Sequence, residues 1–401
     1  MDKKALLDSL RQATTTGSRE LDRICEAAAA ELMAAGAEPP FEVGSADFAA
    51  DPFLICADRY WRLRFLELPT VETAARCAHW LTRSADVEQR TEIAQKWALG
   101  YAFITRDTVE SARELTEASG WILEEHHGSS AIAYFATVYH AGKLRANFAF
   151  DDLRLFLDSA LLALACDEHR NDPLFVALEA FAAFGSRTIT AEHAITLLDK
   201  AWASPQRTLH VVDLCLNALA AAAPFEGQAD LLRTRAEEAV AAFPDNHIFY
   251  FRLAAGQRMS RDCDTALDTI DTALRLLPAT GNRGSHKLLQ EQYLRERDMI
   301  QEGRQLAQWS AEERQRWAAQ EASNADLRRT LQNSTVRAIE LVTVFTAAIA
   351  FAVGSLQVTL AGTLAVKDRI WMIITFGAGL LAFALLIIGG TWWITRRRRN
   401  P

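Results

Sequence analysis

Apolar residues recur along most of this chain at the three-to-four-residue spacing of helix faces, and near its end they merge into two unbroken runs. Trp61, Phe65 and Leu68 fall on one face, and Ile93, Trp97, Tyr101 and Ile104 on another. Leu153, Phe156, Leu157, Ala160, Leu161 and Leu164 form a wide stripe. These patterns predict helices packed in pairs. Asp107 followed by Glu110 reads as a helix-opening cap, whereas residues 38–52, with Pro39-Pro40 and few periodic apolar positions, read as loop. Residues 1–36 are expected to close one end of the array.

The two closing runs, 341–366 and 370–395, each hold roughly twenty-six residues, while about twenty suffice to cross the hydrocarbon core of a bilayer. Only Lys367, Asp368 and Arg369 separate them. A two-helix transmembrane hairpin over 337–396 is therefore expected, with Trp371, Trp392 and Trp393 at the headgroup level, where amphipathic indoles are favoured. Arg396, Arg397, Arg398 and Arg399, together with Arg328, Arg329 and Arg337, outweigh Lys367 and Arg369 in the turn. That imbalance places both termini, including the basic tail 397–401, in the cytoplasm, and the chain in a plasma membrane of the bacterial inner-membrane kind. Thr346, Ala350 and Gly354 on the first span and Thr375, Gly379 and Ala382 on the second are small enough to let two helices approach closely, within one hairpin or between copies.

In the middle of the chain Pro244 and Pro278 lie thirty-four residues apart, and Ala239 and Ala273 keep the same offset. Tyr250, Leu253 and Ala254, then Ala266, Ile270 and Ala273, fill the pattern of one helix-turn-helix unit. Leu216, Leu219, Ala220, Ala236 and Ala239 outline a second, and Leu178, Phe181, Ala182, Ala194, Leu198 and Ala201, closed by Pro205, a third. Over 174–280 the chain thus resembles the tetratricopeptide-repeat family, with Gln257 where that family places an aromatic and Ala236 where it places a larger residue. The resemblance implies an all-α, TPR-like helical-repeat solenoid, in which residues 1–173 continue the stack as further helical pairs. It also implies a binding groove, whose positions here are Asn217, Asp245, Asn246, Phe251 and Arg258, for a protein or peptide partner.

Residues 281–336 form the connector. A break at 281–285 gives way to fifty residues rich in Glu, Gln and Arg, which predict a long solvent-exposed helix from His286 into the first span. Its apolar residues, Trp309 and Trp317 among them, keep no clean heptad, so a strict coiled coil is not expected, although self-association into a homo-oligomer is.

A net charge of −8 removes the electrostatic footprint of a nucleic-acid binder. The six cysteines form no CxxC pair and sit in apolar helical patterns, which suits reduced thiols. Glu124, Glu125, His126 and His127 are consecutive, without the i, i+4 spacing of a helical metal pair, and Asp167, Glu168 and His169 close a helix. No nucleophile, phosphate-loop or metal motif survives a spacing test, so neither enzymatic activity nor a cofactor is expected. Two functions remain. The first is a membrane-anchored scaffold that binds a cytosolic protein or peptide through its solenoid. The second is a sensor-gated effector of the bacterial anti-phage type, whose hairpins cluster on activation and permeabilise the bilayer.

Overall fold

The computed structural model describes residues 3–13, 18–277, 283–360 and 365–397. Among them every helix-length element is helical, and the one extended pairing is a parallel bridge between Val43 and Ala85. The chain divides into two compact units, Met1–Gln305 and Leu306–Pro401.

The first unit begins with α1 (Lys3–Ala13) and α2 (Ser18–Ala34), which pack on each other and on α3 (Pro52–Glu67). Next come α4 (Val71–Ser84), α5 (Val87–Ile104), α6 (Ala112–Glu125) and α7 (Ser130–Ala146). Residues 132–144 of α7 are all buried, the signature of a helix surrounded by others, and α4, α5, α8 (Phe150–Ser159) and α9 (Leu161–Leu164) pack around it. Gly142 permits this enclosure: a Cβ there would lie 2.7 Å from that of Ala102 on α5. A string of rings fills the space between α3, α4, α5 and α7. Trp61, Trp80, Trp97 and Tyr101 follow one another at centroid separations of 5.9–6.2 Å, and Phe65 stacks between Tyr101 and Tyr139.

Three helical pairs follow: α10 (Pro173–Gly185) with α11 (Ala191–Trp202), α12 (Leu209–Ala221) with α13 (Gln228–Ala242), and α14 (His247–Met259) with α15 (Cys263–Leu276). Their first helices also touch in sequence, α10 on α12 and α12 on α14. Leu178, Phe181, Leu216, Leu219, Leu253, Ala266, Ile270 and Ala273 are all buried. Pro205 and Pro244 stand just beyond α11 and α13, where a residue lacking its N–H cannot continue a helix; Pro278 lies outside the described residues. Thr190, Thr208, Asn246 and Asp262 cap the N-termini of α11, α12, α14 and α15 with side-chain oxygens on backbone N–H groups.

The structure changes three local expectations. The stripe from Leu153 to Leu164 is not one helix: the backbone turns extended at Ala160, and Leu161 and Leu164 become exposed. The cap opening α6 is Ser111 with Glu114, a reciprocal capping box, and not Asp107 with Glu110. Glu110 instead turns inward. Its carboxylate accepts from the backbone N–H of Val71 (3.0 Å), from Lys143 Nζ (3.2 Å) and from His140 Nδ1 (3.1 Å), while Lys143 also donates to the Pro69 carbonyl at 2.7 Å. Burial opposes the Glu110 charge, but His140 and Lys143 outweigh it and hold the carboxyl below its ordinary range. Lys143 is itself fully buried, and burial pulls its ammonium down against the attraction of Glu110. This network ties the start of α4 to α7.

The third change concerns the connector. From Arg283 to Leu360 the chain is one helix, α16, but its opening turns are not solvated. Tyr293 and Ile300 are buried in a cluster with Ala254, Cys263, Ala266 and Ile270. Arg258–Glu296 (2.6 Å), Arg297–Asp271 and Arg304–Asp264 (both 2.8 Å) pair α16 with α14 and α15. The solvent-exposed stretch therefore begins near Leu306 and not at His286, because a Tyr293–Ile300 stripe covers the otherwise open face of the last pair. Beyond it Leu306, Trp309, Trp317, Leu327 and Leu331 are exposed.

The second unit pairs the rest of α16 with α17 (Val366–Arg397), and both helices are long and apolar enough to span a membrane. Lys367, Asp368 and Arg369 lie in the first turn of α17 and not in the connection between the spans.

Candidate functional site: a charged face in the first unit and a two-helix hairpin in the second

Single charges interrupt three otherwise apolar helices of the first unit: Arg145 at the end of α7, Asp213 in α12 and Arg252 in α14. Packing brings them to one face. Burial lowers the Arg145 pKa, with Arg252 adding to the effect as a like charge and Asp213 opposing it. His210, one turn before Asp213, is pushed down by burial to about 4 and so is neutral at physiological pH. Lys96 of α5 reaches the same neighbourhood.

The pairing of these groups is incomplete. Arg252 Nη2 donates to Asn217 Oδ1 at 2.8 Å and its guanidinium lies 5.3 Å from the Phe251 ring, yet its Nε has no partner. Asp213 Oδ1 is shut from solvent with no hydrogen bond, and Arg145 Nε likewise. Elsewhere in the unit, arginines on packed helices are neutralised, as Arg235 is by Asp199 at 2.9 Å and by Glu238 at 3.2 Å.

The five groove positions expected from the sequence separate here. Asn217 belongs to the charged face through Arg252. Phe251 stacks on Tyr293 at 4.7 Å and 13°, and Arg258 pairs with Glu296, so both are engaged by the start of α16. Asn246 is the N-cap of α14, its side chain accepting from Ile248 N–H at 2.9 Å, and Asp245 is exposed beside it. Sequence reasoning missed Arg145, His210 and Asp213, although a lone charge inside an apolar helix is a readable signal.

A cavity of about 110 Å³ also opens between α4, α5 and α7, lined by Leu81, Arg90, Tyr134, Phe135, His169 and Asp172 among others. Several of its polar groups are already engaged: Tyr134 Oη donates to Asp172 Oδ1 (3.2 Å), Asp172 caps α10, and Arg90 Nη2 donates to the carbonyls of Thr82 and Ala85.

In the hairpin, Thr343, Ala347, Ala350 and Gly354 of α16 form the less exposed face, and Ile373, Gly377, Leu380 and Ala384 form that of α17. Two phenylalanines lock them. Phe376 lies where a Cβ on Gly354 would be, and Phe351 Cε2 lies 2.7 Å from a Cβ built on Gly377. Thr346, Thr375, Gly379 and Ala382, expected on this face, are exposed, and a Cβ on Gly379 meets nothing within 4 Å. The hydroxyls of Thr346, Ser355 and Thr375 donate to carbonyls of their own helix, at 2.8, 3.0 and 2.8 Å. Phe345, Ile349, Leu356, Leu381 and Leu386 point outward at 60% exposure or more. Trp371 and Trp392 are exposed. The side chains of Trp393, Arg396 and Arg397, and all of Arg398 and Arg399, lie outside the described residues.

No family model matches the chain, and comparison with curated proteins and with solved structures likewise gives no match.

Proposed function

We propose that this chain is a membrane-anchored helical-repeat protein of the tetratricopeptide type, which captures a cytosolic protein or peptide on its first unit and holds or assembles it at a bacterial inner membrane. The observation that supports this most is α16. One helix starts as the docked end of the helical pairs, paired through Glu296, Arg297 and Arg304, and finishes as an exposed apolar span with a phenylalanine-locked partner. Lipid is the solvent that suits the exposed Phe345, Leu356 and Leu386, since every backbone group in a helix is satisfied internally. The basic residues flanking the hairpin put both termini in the cytoplasm, so the repeat unit meets cytosolic partners.

Alkaline carbonate washing of membranes expressing the full chain, followed by affinity capture of the chain in mild detergent, tests both halves. The expected result is retention in the membrane pellet and co-purification of a defined protein. Release of intact chain into the supernatant would overturn the reading.

A second reading is favoured by the same unbroken helix. Rearrangement of the docked turns at Glu296 passes directly along a rigid rod into the span, as a sensor-gated effector requires. Depolarisation within minutes of induced expression, lost when the hairpin is deleted, would select this effector; membrane residence without toxicity selects the scaffold.

A further inference from the structure

The charged face of α7, α12 and α14 is built for something the chain itself does not supply. Arg145 forms no hydrogen bond or ion pair with any described residue, although its Nε is closed off from solvent. An enclosed guanidinium without an acceptor is costly, because its N–H groups have left water and gained nothing in exchange. Arg252 stands within electrostatic reach with its own Nε unpartnered, so two like charges share the site. The one nearby carboxylate, Asp213, does not close an ion pair with either of them and keeps Oδ1 unbonded. Water satisfies N–H groups singly but does not neutralise a pair of cations. A structural role is also a poor account, since Arg235, Arg258, Arg297 and Arg304 all find carboxylates at 2.6–2.9 Å in the same unit.

We propose that this face binds a compact oxyanion, carboxylate or phosphate, which accepts from Arg145 and Arg252 while Asp213 accepts from an N–H or O–H donor carried beside it. The assignment rests on the reading that the first unit receives a ligand, and it names the ligand's chemistry. Guanidinium suits both oxyanions, presenting planar paired donors to two oxygens at once. Asp213 sets the selectivity, because a bare halide leaves its oxygen unbonded whereas an anionic group next to an amide N–H satisfies all three side chains. His210, neutral beside Asp213, leaves this balance of two cations and one anion undisturbed at physiological pH.

The test uses the full chain in lipid nanodiscs, with thermal unfolding followed as sodium phosphate is added and sodium chloride of equal ionic strength as the control. Phosphate is expected to raise the unfolding midpoint saturably, by linkage to the folded state. Arg145→Gln and Arg252→Gln are each expected to weaken the apparent affinity by about tenfold or more. Arg145→Met supplies the second readout: without ligand it should unfold at or above the wild-type midpoint, because it removes an uncompensated charge, and it should no longer respond to phosphate. A phosphate response equal in wild type and both Gln variants, or no response to phosphate in wild type, overturns the assignment. So does an Arg145→Met midpoint several degrees below wild type. A Glu-Gly repeat peptide that displaces phosphate, where its Gln-Gly counterpart does not, places the oxyanion on a peptide. Phosphate binding that resists displacement places it on a small molecule, and both results uphold the site. Membrane retention and partner capture are read separately, so failure here leaves the anchored-scaffold reading standing.

Discussion

Helix α10 and helix α17 are made of much the same residues and live in opposite surroundings. Phe175, Leu178, Ala180, Phe181 and Ala182 of α10 are at most 1% exposed, whereas Leu381, Phe383, Leu385 and Leu386 of α17 are 58–73% exposed. Apolar composition on its own therefore does not decide whether a helix is a core or a membrane span. Length does: α10 ends after thirteen residues, too short for a bilayer, and neighbours enclose it on all sides, while α17 runs for thirty-two with one neighbour. A charge placed at matched positions should break the likeness. Ala180→Arg buries an unpaired guanidinium among α8, α11 and α12, and is expected to cost more than about 4 kcal/mol and abolish cooperative unfolding of the first unit by circular dichroism. A folded Ala180→Arg protein with an unchanged midpoint would sink the picture of α10 as the enclosed helix.

The first unit does contain one buried charge it has paid for, and that sharpens the contrast. Lys143→Met removes the ammonium on which Glu110 depends and leaves the carboxylate with Val71 N–H and His140, an expected loss of about 3–5 kcal/mol by chemical denaturation. Glu110 also sets a pH dependence. Its folded pKa lies below the ordinary value of 4.5, so its contribution is present above that pH and is lost as pH falls through the lower, folded value. Wild type should lose stability on acidification below 4.5, and Glu110→Gln should lose less. Equal acid sensitivity in both would show that the network carries no such linkage.

In α17 the same kind of substitution has a smaller and different effect. Leu381→Arg places a guanidinium on an outward-facing position near the middle of the span, and insertion scales put its cost at about 2.5–3.5 kcal/mol. The expected outcome is partial loss from carbonate-washed membranes with no change in the unfolding of the first unit. Destabilisation of the first unit by Leu381→Arg would mean that α17 is a core helix and not a span.

How much of this was legible in the sequence follows from the range of the forces involved. The spans, the helical pairs and the buried small residues of α14 and α15 were legible because a one-sided solvent imprints a local period. The Glu110 network was not. Its lysine lies thirty-three residues away, and Glu110 stands next to Ser111 in a stretch that looks like an ordinary helix start. The locking face of α17 was missed by two positions, since Gly377 and Gly379 are equally small and only Phe351 on the opposite helix decides between them. Arg145 and Asp213 carried a signal, a lone charge in each apolar helix, but its meaning depends on three helices converging.

The smallest expected effect tests where water gives way to packing along α16. Tyr293, Glu296 and Ile300 share one face, and the charges around them, Arg295, Arg297 and Asp298, disguise it in the sequence as a solvated helix. Glu296 is nearly buried against Arg258, so Glu296→Gln keeps the shape and removes the charge from a 2.6 Å contact. The expected cost is about 1–2 kcal/mol, confined to the docked turns and not spread through the unit. Hydrogen exchange should report it as faster exchange of amides over 290–304 and in α14, with those of α10 and α17 unchanged. Beyond Leu306, where Trp309 and Trp317 are exposed, the helix has no packed face to lose, so exchange there should be insensitive to the substitution. Equal acceleration on both sides of Gln305 would show that docking and exposure do not change over at that point, and that α16 behaves as one solvated rod from its first turn.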